Sequence, residues 1–266
     1  MSAENMKITV FQGIKVAYDS FGVGSEALVF IHGWTCSSSL WYQQEKLLLH
    51  QHRSLLIDLP GHGRSDAPEQ EYSQEFFARS VKAVLDDTAI TKAVLIGHSM
   101  GGPVSTMVLR LFPPLIAGIV YVDSFFHSPE SYLSGIERRQ LGEKLQHDEN
   151  FAALINCFWT ARTTPDARTK VLRTMMGTAR HVRVNAVTSD SLPHAYRWDE
   201  VFEIPALMIA TPARARIDLH WLLHVPKLKI TTWADHGHFL FMEDPERFNT
   251  EIEEFLTVHQ PLKGSR

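Results

Sequence analysis

Cysteine is scarce in this chain, and neither sign of charge is in large excess. The 266 residues include two cysteines, Cys36 and Cys157, which lie far apart and form no C-x-x-C motif. Two such thiols are typical of a reducing compartment, so we expect no disulfide. The 26 Lys and Arg residues stand against 30 Asp and Glu residues, which gives a formal net charge of −4. This balance gives no indication that a nucleic acid or an anionic membrane is a partner.

Long apolar runs and metal-binding patterns are also lacking. No run reaches the roughly 20 residues of a transmembrane helix, and residues 1–7 lack the apolar core of a secretory signal. The 14 histidines are scattered, with no H-E-x-x-H motif and no Cys/His cluster. We therefore expect a soluble, cytoplasmic protein that uses no metal or cofactor and whose partner is a small molecule. The oligomeric state stays open, a homodimer being one alternative.

Short buried-strand patterns alternate with helical ones along most of the chain. Apolar residues make up 44% of the sequence, enough for a substantial core. Residues 27–31 (A-L-V-F-I) are apolar throughout, which is typical of a strand buried on both faces. The alternation predicts an α/β fold, a mostly parallel sheet with helices on both faces. The eight predicted strands cover residues 8–11, 14–18, 27–31, 54–57, 92–96, 116–122, 205–210 and 228–233.

This alternation is interrupted between residues 125 and 198. The segment has helical spacing and many charges, and it contains no buried-strand pattern. We therefore predict a helical cap over residues 125–198, inserted after the sixth strand. The core then comprises residues 1–124 and 199–266.

Helical spacing also occurs outside this segment. Residues 40–49 are predicted as a helix, and Ser73 as the N-cap of another, since serine is favoured at that position. From Phe239 onward the spacing predicts one amphipathic helix that continues through Phe255.

Residues 97–101 (G-H-S-M-G) form a G-x-S-x-G motif between a predicted strand and a helical stretch. In this setting the motif is typical of a nucleophile elbow, a strained turn that projects the serine hydroxyl. Glycine is needed two residues before and after the serine, because the chain folds closely back on itself. Ser99 is therefore the candidate nucleophile. The alternative is an ordinary strand-to-helix turn with a capping serine.

Three further motifs accompany the elbow: H-G at residues 32–33, D-L-P-G-H-G-R-S at 58–65 and G-H-F-L-F-M-E-D-P at 237–245. With them, the chain resembles the α/β-hydrolase family, and within it the capped esterase, lactonase and haloalkane-dehalogenase-like branch. The resemblance implies the α/β-hydrolase fold, but the scaffold hosts many reactions and does not identify a substrate. We interpret residues 58–65 as an architectural loop. A phosphate cradle is the alternative, but the Lys-Ser/Thr pair of a P-loop is missing.

A serine hydroxyl requires a base before it can attack at neutral pH. His238 is the candidate, because it lies in a stretch that resembles the family's catalytic-histidine loop. It also comes after the serine, as the Ser…Asp…His order of this fold requires. His236 and His98 are its competitors, and we interpret them as a loop histidine and a structural one.

The third member of the triad is open between carboxylates. The family commonly places the acid after the strand that follows the cap, but residues 211–216 (T-P-A-R-A-R) contain none. Some capped relatives carry it one strand earlier, and that position is Asp123 here. We predict Asp123, with Asp218 as the alternative and Asp235 as a weaker one. The carboxylate must accept the Nδ1 proton of His238 and stabilise the imidazolium.

Backbone N–H groups of Trp34 and Met100 are the predicted oxyanion hole. Several aromatic side chains are predicted to contact the substrate: Trp34, Phe125, Phe158, Trp159 and Phe239.

The predicted function is a serine hydrolase that cleaves a carboxylic ester or lactone of an apolar small molecule through an acyl-enzyme. The same site could serve a carbon–carbon bond hydrolase or a hydroxynitrile-lyase-type enzyme, and the scaffold could also serve a non-catalytic ligand-binding receptor. A dehalogenase would need Asp in place of Ser99.

Overall fold

Within the described residues, eight strands form a single sheet. The computed structural model describes residues 5–48, 52–126, 135–189, 197–215 and 220–263. The strands are β1 (Met6–Phe11), β2 (Ile14–Phe21), β3 (Glu26–Ile31), β4 (Arg53–Ile57), β5 (Lys92–His98), β6 (Ile116–Val122), β7 (Ala206–Ala210) and β8 (Leu228–Thr232). Their order across the sheet is β1-β2-β4-β3-β5-β6-β7-β8.

The sheet is mixed. β2 pairs antiparallel with both β1 and β4, whereas every pair from β4 to β8 is parallel. A two-residue turn at Gln12 and Gly13, both with positive φ, joins β1 to β2 as a hairpin, because such turns match the twist of the strands. The predicted eight-stranded, mostly parallel sheet is therefore confirmed, with this antiparallel margin added.

Alternate residues of the central strands face opposite layers of the core. In β5, Val94 and Ile96 belong to one buried cluster and Leu95 to the other. Each of these side chains is fully buried, since helices cover both faces of the sheet. The order in which successive strands are added to the sheet reverses at β3, because β4 lies on one side of it and β5 on the other. In open α/β sheets, ligands bind beyond the carboxyl ends of the strands at such a switch point.

Eleven α-helices occur in the described part of the chain. They are α1 (Glu45–Leu48), α2 (Gln74–Asp87), α3 (Gly101–Leu111), α4 (Gly135–Leu145), α5 (Asp148–Asn156), α6 (Pro165–Met176), α7 (Arg180–Thr188), α8 (Pro212–Ala215), α9 (His220–His224), α10 (Leu240–Glu243) and α11 (Pro245–His259). Among these described elements, no helix combines the length and hydropathy that crossing a membrane requires. Ser73 caps α2, its hydroxyl accepting a hydrogen bond from the Phe76 N–H at 3.2 Å.

Two helix predictions need correction. Residues 40–49 are not one helix: a 3₁₀ turn at Ser38–Trp41 precedes the short α1. There, Trp41 is fully buried against Phe30 and Phe241. The final helix is also divided, because Pro245 keeps Asp244 out of the helical conformation. Asp244 then caps α11 by accepting from the Arg247 N–H.

Helices α4 to α7 lie between β6 and β7 and fall within the span predicted as a cap. Side chains join them to the core. The Trp34 indole N–H donates to the carbonyl of Arg183 at 2.9 Å, and Asn185 Oδ1 accepts from the Tyr72 N–H at 2.6 Å. The division into a core and a cap over residues 125–198 stays a prediction.

Candidate active site

Ser99 lies in a sharp turn between β5 and α3. Its φ of 50° is in the left-handed region, which is unfavourable for a residue with a side chain. A side chain at Gly97 would overlap the backbone of Gly101, and one at Gly101 would overlap the Ile31 carbonyl. Glycine at both positions therefore lets the turn close against β3. This is the geometry that the motif predicts for residues 97–101.

Neighbouring backbone holds the turn on both sides of Ser99. The Ser99 N–H donates to the carbonyl of Val122 at 3.0 Å. Its carbonyl accepts hydrogen bonds from the Gly102 N–H at 3.0 Å and from the hydroxyl of Ser124. The strain at Ser99 is thus offset by bonds to residues at the end of β6.

His238 lies in the loop after β8 and faces Asp123. Its Nδ1 is 2.6 Å from Oδ2 of Asp123, a short charge-assisted hydrogen bond. Its backbone carbonyl accepts from Nε2 of His98 at 2.9 Å. Burial lowers the pKa of His98 well below its usual value, so this ring stays neutral and carries its proton on Nε2. This contact with the backbone of His238 fits the interpretation of His98 as a structural histidine, and its role stays a prediction.

Asp123 follows β6 with a φ of 41°, and it is almost fully buried. Its Oδ1 accepts from the Thr211 N–H at 2.9 Å and from the Thr211 hydroxyl at 2.8 Å. Burial alone would raise the pKa of Asp123, but the hydrogen bonds from His238 and Thr211 outweigh it and hold the pKa below its usual value. The carboxylate is therefore ionised at neutral pH and can stabilise a positive charge on His238.

The structure brings Asp123 and His238 into contact near Ser99. Among the described residues, no hydrogen bond joins the Ser99 hydroxyl to His238. The two residues are nevertheless close in the fold, because the ring of His98, next to Ser99 in sequence, has its centroid 4.7 Å from that of His238. Catalytic hydrogen bonds in ligand-free enzymes are often long and shorten when substrate binds.

Two backbone N–H groups flank the nucleophile. In the part of the chain that is described, neither Trp34 nor Met100 donates its backbone N–H to a protein acceptor. The loop of Trp34 runs directly beside Ser99: a Cβ at Gly33 would be 3.1 Å from the Cβ of Ser99. Unused donors at this place fit an oxyanion hole, and that role stays a prediction.

The side chain of Trp34 is only partly available to a ligand. Its ring packs edge-to-face on Phe151 of α5, with centroids 5.2 Å apart, while its indole N–H is bonded to Arg183. Trp34 therefore joins the loop beside Ser99 to the inserted helices, in addition to any contact with substrate.

The remaining aromatic residues predicted for the pocket differ in position. Phe158 is partly buried, and its ring centroid is 4.7 Å from that of His238. Trp159 is partly buried beside it, and Phe125 lies near Arg214, 5.7 Å from its guanidinium. Phe239 is 1% exposed and packs against His98, so its predicted contact with substrate needs correction: this side chain supports the core.

The alternative site residues also differ in position. The ring of His236 is buried and contacts Trp233, and within the described residues its two nitrogens have no hydrogen-bond partner. Burial lowers the pKa of His236. Asp235 is exposed. Asp218 lies outside the described residues.

The loop over residues 58–65 is built around the guanidinium of Arg64, which is partly exposed and pairs with two buried carboxylates, Asp58 and Asp19. Asp58 accepts hydrogen bonds from the Ser38 N–H at 2.7 Å and from Nε of Arg64 at 2.7 Å. The same guanidinium binds both oxygens of Asp19. Nε2 of His32 accepts from the Leu59 N–H at 3.0 Å. These contacts support the interpretation of the loop as architectural.

Sequence reasoning missed Thr211 and Glu243. Thr211 stands at the end of β7, where the motif leads one to expect a carboxylate, and it supplies two donors to Asp123 instead. The missing carboxylate in residues 211–216 was a usable signal for it. Glu243 accepts from the Gly237 N–H, next to His238, and only the E-D-P ending of the histidine motif pointed to it.

Comparison with known proteins agrees with this architecture. The family model of the alpha/beta hydrolase fold matches residues 26–154. A 2-hydroxy-6-oxononadienedioate/2-hydroxy-6-oxononatrienedioate hydrolase of Burkholderia vietnamiensis is 28% identical over 265 residues, 91% of this chain and 91% of that protein.

Two solved structures are similar at 26% identity. One is Est816, described as an N-acyl homoserine lactone degrading enzyme, with a TM-score of 0.76 over 94% of this chain and 100% of that one. The other is the esterase RhEst1 from Rhodococcus sp. ECU1013, with a TM-score of 0.79 over 95% and 98%. The chain has the α/β-hydrolase fold, as its motifs predict. Fold and relatives together support a hydrolase that acts on a small molecule.

Proposed function

We propose that this chain is a serine hydrolase of the capped esterase and lactonase branch, which cleaves a carboxylic ester or lactone of an apolar small molecule. The observation that carries the proposal is the 2.6 Å contact between His238 and Asp123 beside the Ser99 elbow. A carboxylate that occupies Nδ1 leaves Nε2 of His238 to accept the serine proton. The similarity to an esterase and to a lactone-degrading enzyme over nearly the whole chain supports the ester class.

The proposed reaction has two halves. The Ser99 hydroxyl attacks the carbonyl carbon of the ester while His238 takes its proton. The N–H groups of Trp34 and Met100 bind the oxyanion that forms. Collapse of this intermediate breaks the carbon–oxygen bond, and His238 gives its proton to the departing alcohol. Water then attacks the acyl-enzyme in the same way and releases the acid and the free Ser99 hydroxyl.

A serine-reactive fluorophosphonate and a substrate panel test this proposal. We expect stoichiometric labelling of the wild-type chain and none of Ser99→Ala. The panel should contain short- and medium-chain nitrophenyl esters together with N-acyl homoserine lactones, and Ser99→Ala should abolish turnover of whichever is cleaved. A wild-type chain that is neither labelled nor active on any of them would contradict the proposal and favour a non-catalytic receptor.

A carbon–carbon bond hydrolase is the second candidate. It is favoured by the 28% identity to the dienedioate hydrolase of Burkholderia vietnamiensis, which extends over 91% of both chains. Ser99-dependent consumption of a dienone carrying a carboxylate, without hydrolysis of esters or lactones, would favour this candidate.

A further inference from the structure

Glu243, at the end of α10, accepts hydrogen bonds from two separate loops. Its Oε2 accepts from the backbone N–H of Gly237 at 2.7 Å. Its Oε1 accepts from the hydroxyls of Thr160, at 2.8 Å, and Thr163. The first bond reaches the residue directly before His238. The other two reach the connection between α5 and α6, here called the Phe158 loop. One carboxylate therefore joins the loop after β8 that carries His238, here called the histidine loop, to the inserted helices.

The two loops that Glu243 joins also touch each other. A Cβ placed on Gly237 would be 2.6 Å from the carbonyl oxygen of Phe158, so their backbones are in close contact. The ring of Phe158 has its centroid 4.7 Å from that of His238. The position of the Phe158 loop thus decides what lies against one side of the imidazole.

We propose that Glu243 is a positioning residue for His238, an inference that rests on the proposed function. It fixes the backbone on the N-terminal side of His238, through Gly237. His98 fixes the other side, since it donates to the His238 carbonyl at 2.9 Å. Asp123 fixes the ring itself. With both flanking bonds in place, Nε2 stays at one distance from the Ser99 hydroxyl.

The hydrogen-bonding groups around Glu243 allow its positioning role to be tested separately from its contribution to packing. The Gly237 N–H can only donate, whereas the hydroxyls of Thr160 and Thr163 can donate or accept. Glutamine can therefore replace Glu243, with its carbonyl oxygen toward Gly237 and its amide N–H groups toward the hydroxyls. Alanine can satisfy none of the three groups.

The two sides of the carboxylate should affect different kinetic constants. Loss of the bond to Gly237 frees the histidine backbone, and a misplacement of about 1 Å in a reacting group costs on the order of 100-fold in rate. We therefore expect Glu243→Ala to lower kcat by roughly 10- to 100-fold. The double variant Thr160→Val/Thr163→Val keeps the bond to Gly237, so it should mainly change KM through the Phe158 loop.

Glu251 offers a matched control. Its Oε1 accepts from the Trp233 indole N–H at 2.8 Å, so Glu251→Ala removes a partly buried carboxylate bond nearby that involves neither Gly237 nor His238. Both alanine variants should lose thermal stability. Only Glu243→Ala should lose kcat, and Glu243→Gln should restore it to within about threefold, the scatter expected of one hydrogen bond. Equal kcat in Glu243→Ala and wild type, or a failure of Glu243→Gln to rescue, would overturn the proposal.

A measurement without turnover separates this proposal from the proposed function. The proton between His238 and Asp123 should give a downfield resonance in the wild-type chain, and it should broaden in Glu243→Ala but not in Glu251→Ala. Fluorophosphonate labelling of the same samples reports on Ser99. A wild-type chain that is never labelled would end the proposed function, whereas normal labelling rates and an unchanged resonance in Glu243→Ala would end the positioning role alone.

Discussion

Thr211 donates two hydrogen bonds to one oxygen of Asp123. Its N–H and its hydroxyl both reach Oδ1, at 2.9 and 2.8 Å, while Oδ2 is left for Nδ1 of His238. β7 runs parallel to β6, with Val122 opposite Ile209, so the residues after the two strands meet at the same edge. Thr211, which occupies the position where the motif leads one to expect the acid, thus donates to Asp123, the predicted acid, on the neighbouring strand.

Thr211→Val should therefore weaken the pair between Asp123 and His238. Valine has the shape of threonine, so the backbone N–H bond can persist while the hydroxyl bond is lost. We expect kcat/KM for a cleaved ester to fall by about tenfold, the effect of one bond to a charged group. Thr211→Ser keeps the hydroxyl and serves as the control. Steady-state kinetics on the three proteins would contradict this if Ser and Val behave alike.

We also expect the effect of Thr211→Val on the free energy of unfolding to depend on pH. The pKa of Asp123 lies below its usual value, so its ionised form stabilises the fold at any pH above the unfolded pKa of about 3.9. That contribution is lost as the pH falls through the lower, folded pKa. The difference in unfolding free energy between wild type and Thr211→Val should be full at pH 6 and shrink below about pH 4. Urea denaturation at a series of pH values measures it, and a difference that grows as the pH falls would contradict the sign.

Asp123→Asn distinguishes the acid candidates. The two Thr211 donors would hold the amide oxygen, so the amide NH2 would face Nδ1 of His238 and donate to it. This favours the wrong tautomer of His238, so kcat should fall by about 10⁴-fold. Asp235→Asn and Asp218→Asn are the matched controls, and both should keep kcat near the wild-type value. Loss of activity in Asp218→Asn with normal turnover in Asp123→Asn would assign the acid to the other residue.

Local patterns were enough for most of the fold. A short run that is apolar throughout is typical of a strand buried on both faces, so the sequence predicts a buried strand over residues 27–31. β3 matches this prediction. The elbow was predictable for a similar reason, since glycine spacing around Ser99 reflects contacts within a few residues. The break before α11 carried a local signal too, Asp244-Pro245, although helical spacing on both sides obscured it.

The supporting residues of the site were not predictable in this way. Thr211 and Asp123 are 88 residues apart, and Glu243 and Thr160 are 83 apart. Their contacts depend on strand order and on where the α5–α6 connection settles, neither of which leaves a pattern in the sequence nearby. The burial of Phe239 was not predictable either. Its place beside His238 in the sequence predicts a contact with substrate, whereas in the structure the side chain is buried.

Arg110 and Glu200 form a buried ion pair, and we expect substitution of either residue to lower stability strongly. Both side chains are buried, and Nε of Arg110 donates to Glu200 at 2.7 and 2.9 Å. Removing one partner leaves a charge buried, which costs about 3–5 kcal/mol. Arg110→Met and Glu200→Leu should each lower the free energy of unfolding by this amount, and the double variant by less than either. Urea denaturation of the four proteins measures this, and additive losses would show that the pair is not coupled.

Phe158→Ala tests whether the aromatic ring beside His238 contacts substrate. The ring is partly buried, lies against the imidazole and is held by a loop that Glu243 fixes. An apolar group of the substrate that packs on it would gain roughly 1.5–3 kcal/mol from that burial. We therefore expect KM for an aryl ester to rise by about tenfold or more, with kcat changed little. Phe112→Ala removes a partly buried ring after α3 and is the control for general destabilisation. If kcat falls and KM does not, the ring acts by holding His238 in place, and the pocket must be built from other side chains.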